Sequence, residues 1–383
     1  MAKWGLISLL VVLLAVLLGE RIVSIRKRAL ASRELLKNHL PNCVPLKGLN
    51  VGSEDITVFG DGFAFVSSGL KYSGFPSSDK PGKIFLLDLK GSPIKPVELR
   101  MPRNFDPETF NPHGISVHTD TAGKEKKEKK ILPPGRGTNY QALTGPQLQK
   151  DGTVYLFVVN HPYGKSQVEL FKFVEEEFSL LHLKTFQHGL LHNVNDIVAL
   201  GVDRFYATND HYLQHEFFKI IEPLLGQPWT NVVYYSPESV RVVSEGYYFA
   251  NGINISRDKR HIYVADPMDQ NVHVLERKED NALVSVKSVA VGSLCDNIEV
   301  DPHTGDLWMG CHPNGWKLLK GDPEDPAGSE VIRIQDIHSD EPLVTQVYAD
   351  DGHVIMGSSV ATTYGGKLLI GSVFHKALCC DLE

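Results

Sequence analysis

A chain of 383 residues with 42% hydrophobic and 22% charged side chains has enough apolar content for a large folded core. A formal net charge of -7 argues against a general nucleic-acid binder, because phosphate affinity comes mainly from Lys and Arg. With 33 Gly and 22 Pro, turn signals recur between short runs such as DGTVYLFVVNH, NVVYYS and KLLIGSVF, so the composition predicts an all-β fold.

In chain order, Lys3 precedes an apolar run from Trp4 to Leu18, about the length of a signal-peptide core, with no small-x-small cleavage site directly after it. From Glu20 onward, Ile22, Ile25, Ala29 and Leu36 share one helical face beneath a basic one. The expected organisation is a retained hydrophobic anchor over 1–19, an amphipathic interfacial helix over 20–42, and a single β domain over 43–383. A signal cleaved near Ala31 is the competing reading. The basic flank Arg21, Arg26, Lys27, Arg28 and Arg33 pulls the orientation the other way, since positive residues favour the cytosolic side.

Five cysteines follow, Cys43, Cys295, Cys311, Cys379 and Cys380. Cys43 stands just before the first strand signals and the Cys379/Cys380 pair just after the last. A bond between these ends would fasten the first and last strands into one unit and imply an oxidising compartment. Between HGISVHTD and DGTVYLFVVNH, which read as two strands of a hairpin, residues 121–149 carry a Lys/Glu run and a Pro-Pro-Gly, and are expected to be a disordered hairpin-tip insertion.

Oxygen-bearing side chains then recur at strand mouths: Glu54 and Asp55, Asn195 and Asp196, Asn251, and Asp296 and Asn297. Asn297 lies 46 residues after Asn251 and Leu307 lies 45 after Ile262, a repeat that suggests propeller blades of about four short strands. A propeller aims one end of each innermost strand at its axis, where carboxylate and amide oxygens from separate blades can converge. Calcium takes roughly six to eight such oxygens in irregular geometry, whereas zinc prefers His and Cys. Any one pair alone reads as a turn or cap. His113, His161 and His312 form a second group from which a neutral imidazole could act as general base.

The ordered motifs GSEDI, FNPHGIS, VVNHP, VELFKF, NDIVA, FYATNDHY, ANGINIS, DNIEVDPHTGDLW, GCHPNG and VFHKAL run through nearly the whole chain. With them the chain resembles the serum paraoxonases, calcium-dependent lactonases and arylesterases. That resemblance implies a six-bladed β-propeller with two calcium ions on its axis. The catalytic ion would be held by Glu54, Asn195, Asn251, Asp296 and Asn297, and the structural ion by Asp55, Asp196 and the backbone carbonyl of Ile115. His113 and His161 would be the catalytic dyad, and Tyr72, Phe249 and His312 the substrate wall. Cys380 matches the family's terminal half-cystine, with Cys379 as an extra neighbour.

Three features depart from the family pattern: the insertion, Cys379, and Cys295 where an aliphatic residue is expected. One sequon, at Asn254, is the candidate glycosylation site and lies close to a ligand. The expected activity is calcium-dependent hydrolysis of lactones and aryl esters, with weaker phosphotriester hydrolysis. The expected setting is the secretory pathway, either secreted or associated with a membrane or lipoprotein surface through the N-terminal helices. A homodimer is left open. The alternative is a catalytically weak, calcium-stabilised propeller serving as a membrane or lipoprotein binding module.

Overall fold

Runs of β-branched and aromatic residues punctuated by Gly, Pro and Asp become six four-stranded antiparallel sheets in the computed structural model, which describes residues 2–72, 75–120, 152–322 and 324–382. The expected insertion at 121–149 lies outside the described residues. Blades one to five follow the chain outward from the axis, spanning 55–98, 112–186, 194–247, 253–290 and 294–350. Blade six takes Ser358–Tyr364, Lys367–Ser372 and Leu378–Asp381 from late in the chain, and its outermost strand, Val44–Pro45, from early in it. The fold is a six-bladed β-propeller. Ile262 and Leu307, whose spacing first signalled the repeat, both lie on second strands, in blades four and five.

The core is divided among the six junctions. Val272, Val274, Met309 and Ile332 fill the one between blades four and five, and Phe65, Ile84, Leu156 and Phe171 the one between blades one and two. Each junction is also tied by a hydrogen bond near the axis. The Ile115 amide donates to Asp55 Oδ2 at 2.7 Å, Ala199 to Ser116 Oγ at 3.0 Å, Thr208 Oγ1 to the Asn251 carbonyl at 2.7 Å and Gly252 to the Asp296 carbonyl at 3.2 Å. Ser358 Oγ donates to the Cys311 carbonyl at 2.9 Å, and Ser359 Oγ closes the ring onto the Glu54 carbonyl at 2.6 Å.

A disulfide joins Cys43 to Cys380 across 337 positions of sequence. Neighbouring strand residues face opposite sides of a sheet. Accordingly Cys380 packs with Cys43 and Trp308, while the free Cys379 packs with Leu46 and Ile56 on the other face. By chain entropy a loop of this length contributes at most roughly 5 kcal/mol. Cys43→Ser is therefore expected to lower the melting temperature far more than Cys379→Ser. A peptide map showing Cys43 reduced in fully stable protein would remove that account.

At the N-terminus one continuous helix, α1 (Ala2–Arg28), replaces the two expected segments, and 29–42 is turn and coil with one isolated bridge. No Pro interrupts Glu20–Lys27, so the helix continues until Leu30, which turns the chain in a left-handed conformation (φ 50°). Of the expected apolar face, Ile25 and Ala29 pack on protein, while Ile22 and Leu36 stay exposed. The Arg28 guanidinium lies 3.7 Å from the Tyr248 ring centroid, and Arg33 makes a two-pronged pair with buried Glu330, both distances 2.8 Å. Asn38 then bridges to Ala349. The stretch Ile7–Arg28 is long and apolar enough to cross a membrane by length and composition, as a signal sequence also is. A second helix, α2 (Glu216–Leu225), which the sequence reading did not anticipate, lies against α1 and exposes Phe217 and Phe218. Disulfides and an apolar N-terminal helix are compatible with a secretory-pathway protein.

Candidate active site and metal centre

An ordinary strand would send two neighbouring side chains to opposite faces, so adjacent ligands at a strand mouth need a special backbone. A β-bulge supplies it. In blade five, Cys295 pairs with Cys311 and Ile298 with Met309, leaving Asp296 and Asn297 opposite the single residue Gly310. The same surplus residue falls at Asn195 and Asp196 in blade three, between the pairs Val194↔Asn209 and Ile197↔Ala207. It recurs at His113 and Gly114 in blade two. Two glycines let these bulges touch: a Cβ on Gly252 would lie 2.4 Å from the Asp296 carbonyl oxygen, and one on Gly114 would lie 2.3 Å from Asp196 Oδ1.

The bulges at Asn195 and at Asp296 and Asn297, with Glu54 and Asn251 just before the first strands of blades one and four, set these five residues in buried positions from four blades. Asn297 Nδ2 reaches Glu54 on the far side of blade six, donating to Oε1 at 2.8 Å and to the carbonyl at 3.0 Å. Four oxygens remain with no hydrogen-bond partner: Glu54 Oε2, Asn195 Oδ1, Asn251 Oδ1 and Asn297 Oδ1. Burying an unsatisfied polar atom costs about 1–3 kcal/mol, so four together call for a donor or cation. A hard divalent cation fits this all-oxygen set.

Electrostatics point the same way. Burial, then Asp296 and Asp55, hold the Glu54 carboxyl well above its usual range. Burial pushes Asp55 up to about 7, and burial with Asp55 nearby raises Asp196 well above normal. Glu299, which the sequence reading passed over, is raised by burial and by Asp55 and Asp196. Such a stack cannot ionise fully without positive charge among it. Asp55 accepts from the Ile56 amide at 2.8 Å as well as from Ile115, and Asp196 accepts from Ile197 and Ile253, each at 2.7 Å. Ile115 thus meets Asp55 through its N–H.

His113 Nδ1 stands 3.1 Å from His161 Nε2, and its Nε2 is 3.5 Å from Glu54 Oε1. Burial, with His161 adding to it, lowers the His113 ring to about 3, so it is neutral. Of the expected wall, Tyr72 packs edge-on against His113 with centroids 5.8 Å apart, and His312 Nε2 lies 3.1 Å from Asp296 Oδ2. Phe249 packs edge-on against His211, at 5.1 Å.

That contact exposes a pair the sequence reading missed. Asp210 Oδ1 lies 2.7 Å from His211 Nδ1, while its Oδ2 accepts from Tyr72 at 2.9 Å and from Asn195 at 3.2 Å. Burial opposes ionisation of Asp210, yet His211 holds it well below the usual range. The His211 ring, which burial alone would lower, is raised by the carboxylate. The signal was present in the quoted FYATNDHY, where Asp210 and His211 follow directly on the second strand of blade three. Also unanticipated are Asp266, Asp269 and His273 in blade four, whose ligand atoms lie within 4.8 Å of one another and could hold a metal. The sequon Asn254 does not offer its amide to solvent, since Nδ2 donates to the Ile298 carbonyl at 2.7 Å, and a glycan there would displace that link.

A six-bladed ring with a buried oxygen cage and histidines at its mouth could seat a cation beside proton-transfer groups. The arylesterase family model matches residues 34–126 and 139–382, its break falling inside the expected insertion. The chain is 52% identical to serum paraoxonase/arylesterase 2 of Gallus gallus over 379 residues, covering 98% of this chain and 99% of that one. It is 47% identical to serum paraoxonase/lactonase 3 of Oryctolagus cuniculus, covering 100% of both. A solved luciferin-regenerating enzyme, 10% identical, superposes with a TM-score of 0.51 over 89% of this chain and 95% of that one, a likeness of fold alone. The chain belongs to the arylesterase family.

Proposed function

We propose that the chain is a calcium-dependent hydrolase of lactones and aryl esters, acting at the axis of its propeller. The observation that carries this reading is the set of four buried, partnerless oxygens on Glu54, Asn195, Asn251 and Asn297. With Asp296 they would hold the catalytic ion, and Asp55, Asp196 and the Ile115 carbonyl a second, structural one. An ion held at the first position would supply polarisation of a substrate carbonyl and offset the charge that develops on its oxygen.

The chain's own residues supply the rest. His113, kept neutral by burial, accepts a proton from the attacking water and faces His161 across 3.1 Å. His211, oriented and made more basic by Asp210, is the alternative proton acceptor at the same mouth. Tyr72 and Phe249 wall the opening, and His312 steadies Asp296. A phosphotriester presents the same kind of polarisable oxygen, so slower phosphotriester hydrolysis belongs to this proposal. The names of the paraoxonase/arylesterase and paraoxonase/lactonase relatives support the substrate class. The exposed apolar length of α1, with Phe217 and Phe218 on α2, supports attachment to a membrane or lipoprotein surface.

The test is hydrolysis of a lactone and an aryl ester by purified protein before chelation, after it, and after calcium is restored. Activity should vanish with the chelator and return with calcium; full turnover in metal-free protein would end the proposal. His113→Gln and His211→Gln divide the proton-transfer role: the variant of the acting base should lose turnover and the corresponding limb of the pH–rate profile while still binding calcium.

A further inference from the structure

We infer that the Cys295–Cys311 disulfide is a positioning element for the cation site at the propeller mouth, clamping the strand end whose bulge aims Asp296 and Asn297 at the axis. The inference rests on the reading of that mouth as a calcium site. The bond joins directly opposed residues of the first two strands of blade five, Leu294–Val300 and Leu307–His312, only 16 positions apart in sequence. Both sulfurs belong to buried residues.

Its place relative to the bulge gives it this role. The regular ladder of the two strands runs from Val300↔Leu307 to Ile298↔Met309 and is then broken by Asp296 and Asn297. Beyond the break the strand end is held to its neighbour by the pairs Cys295↔Cys311 and Leu294↔His312. A bulge disrupts the local ladder and bends its strand, so the segment carrying both oxygen ligands is not fixed by the hairpin's own ladder. The disulfide restores a fixed point immediately before it.

The same bond also links the residues preceding the two members of the Asp296–His312 contact, so one covalent link sets the separation of both backbones. Neighbouring blades register against this point, Gly252 through the Asp296 carbonyl and Ser358 through the Cys311 carbonyl. By contrast Asp55 and Asp196 lie on blades one and three, and their carboxylates are held by the Ile115 and Ile253 amides. The disulfide should therefore matter to one ion and not to the other. A staple that served stability alone would show no such difference.

The experiment uses the full chain with two double variants, Cys295→Ala/Cys311→Ala and Cys295→Val/Cys311→Ala, the second refilling part of the lost volume. Calcium is titrated calorimetrically into chelator-stripped protein, with far-UV circular dichroism confirming the fold. The expected result is that one class of site weakens by about tenfold or more, the scale seen when a group supporting a metal ligand is removed. The other class should be unchanged, and lactone turnover should fall along with the weakened site. If both affinities match the parent and only the melting temperature drops, the disulfide is a staple and the inference fails. A parent protein that binds no calcium would instead overturn the calcium reading on which it stands.

Discussion

Replacing Asn251 with alanine is expected to cut lactone and aryl ester turnover by roughly a hundredfold or more, the scale of losing electrostatic stabilisation of a transition state. The fold should be untouched. Asn251 Oδ1 makes no hydrogen bond, whereas the residue's structural links, its N–H to the Ala265 carbonyl and its own carbonyl to Thr208 Oγ1, are backbone and survive the change. The variant removes a buried oxygen that costs stability when unpaired, so in chelator it should melt no lower than the parent. Asp296→Ala should show the same loss of turnover but also frees His312 from its carboxylate contact. The measurements are kcat, kcat/KM and melting temperature on the same preparations. Turnover within a few-fold of the parent in both variants, with calcium still bound, would leave the binding-module reading standing.

Asp55→Ala and Asp196→Ala should do the reverse, destabilising the whole ring by about 3–5 kcal/mol, a large share of a typical stability, and lowering activity only as the folded fraction falls. Each carboxylate joins two blades: Asp55 binds the Ile115 amide of blade two from blade one, and Asp196 the Ile253 amide of blade four from blade three. Isosteric Asp55→Asn separates charge from shape. Without calcium it should melt at least as high as the parent, because burial has already raised the Asp55 carboxyl to about 7. With calcium it should gain less. Between about pH 4 and that value the folded, ion-free chain holds a proton that the unfolded chain has shed, so chelated parent protein should lose stability as pH rises through the window. Calcium should flatten that loss. Calorimetric melts across pH, with and without the ion, check both statements.

What was legible in the sequence was what repeats. The spacing from Asn251 to Asn297 and the alternation of short apolar runs exposed the blades, because each blade buries the same kind of faces against its neighbours. The bulges were not legible. A one-residue surplus in a strand leaves no mark in composition, and only the paired register shows why two adjacent ligands can turn inward together. Cys295 read as a departure from pattern because its partner, Cys311, becomes visible only when the hairpin is aligned residue by residue. Arg28 and Arg33 read as part of a basic flank bearing on membrane orientation, but tertiary partners, Tyr248 and Glu330, claim them. Local pattern cannot register partners some 200 to 300 positions away.

The strand that completes blade six is made before blades one to five, and the strands it joins are made after them. During biosynthesis Val44–Pro45 therefore has no sheet to enter until nearly all the intervening chain has been synthesised, and Cys43 must wait as a thiol across 337 positions. Cys295 and Cys311 emerge before Cys379 and Cys380 and sit only 16 positions apart, so their hairpin can form and oxidise early, taking two competing thiols out of reach. The order of synthesis then favours the native pairing: the short disulfide closes first, and the ring is sealed last.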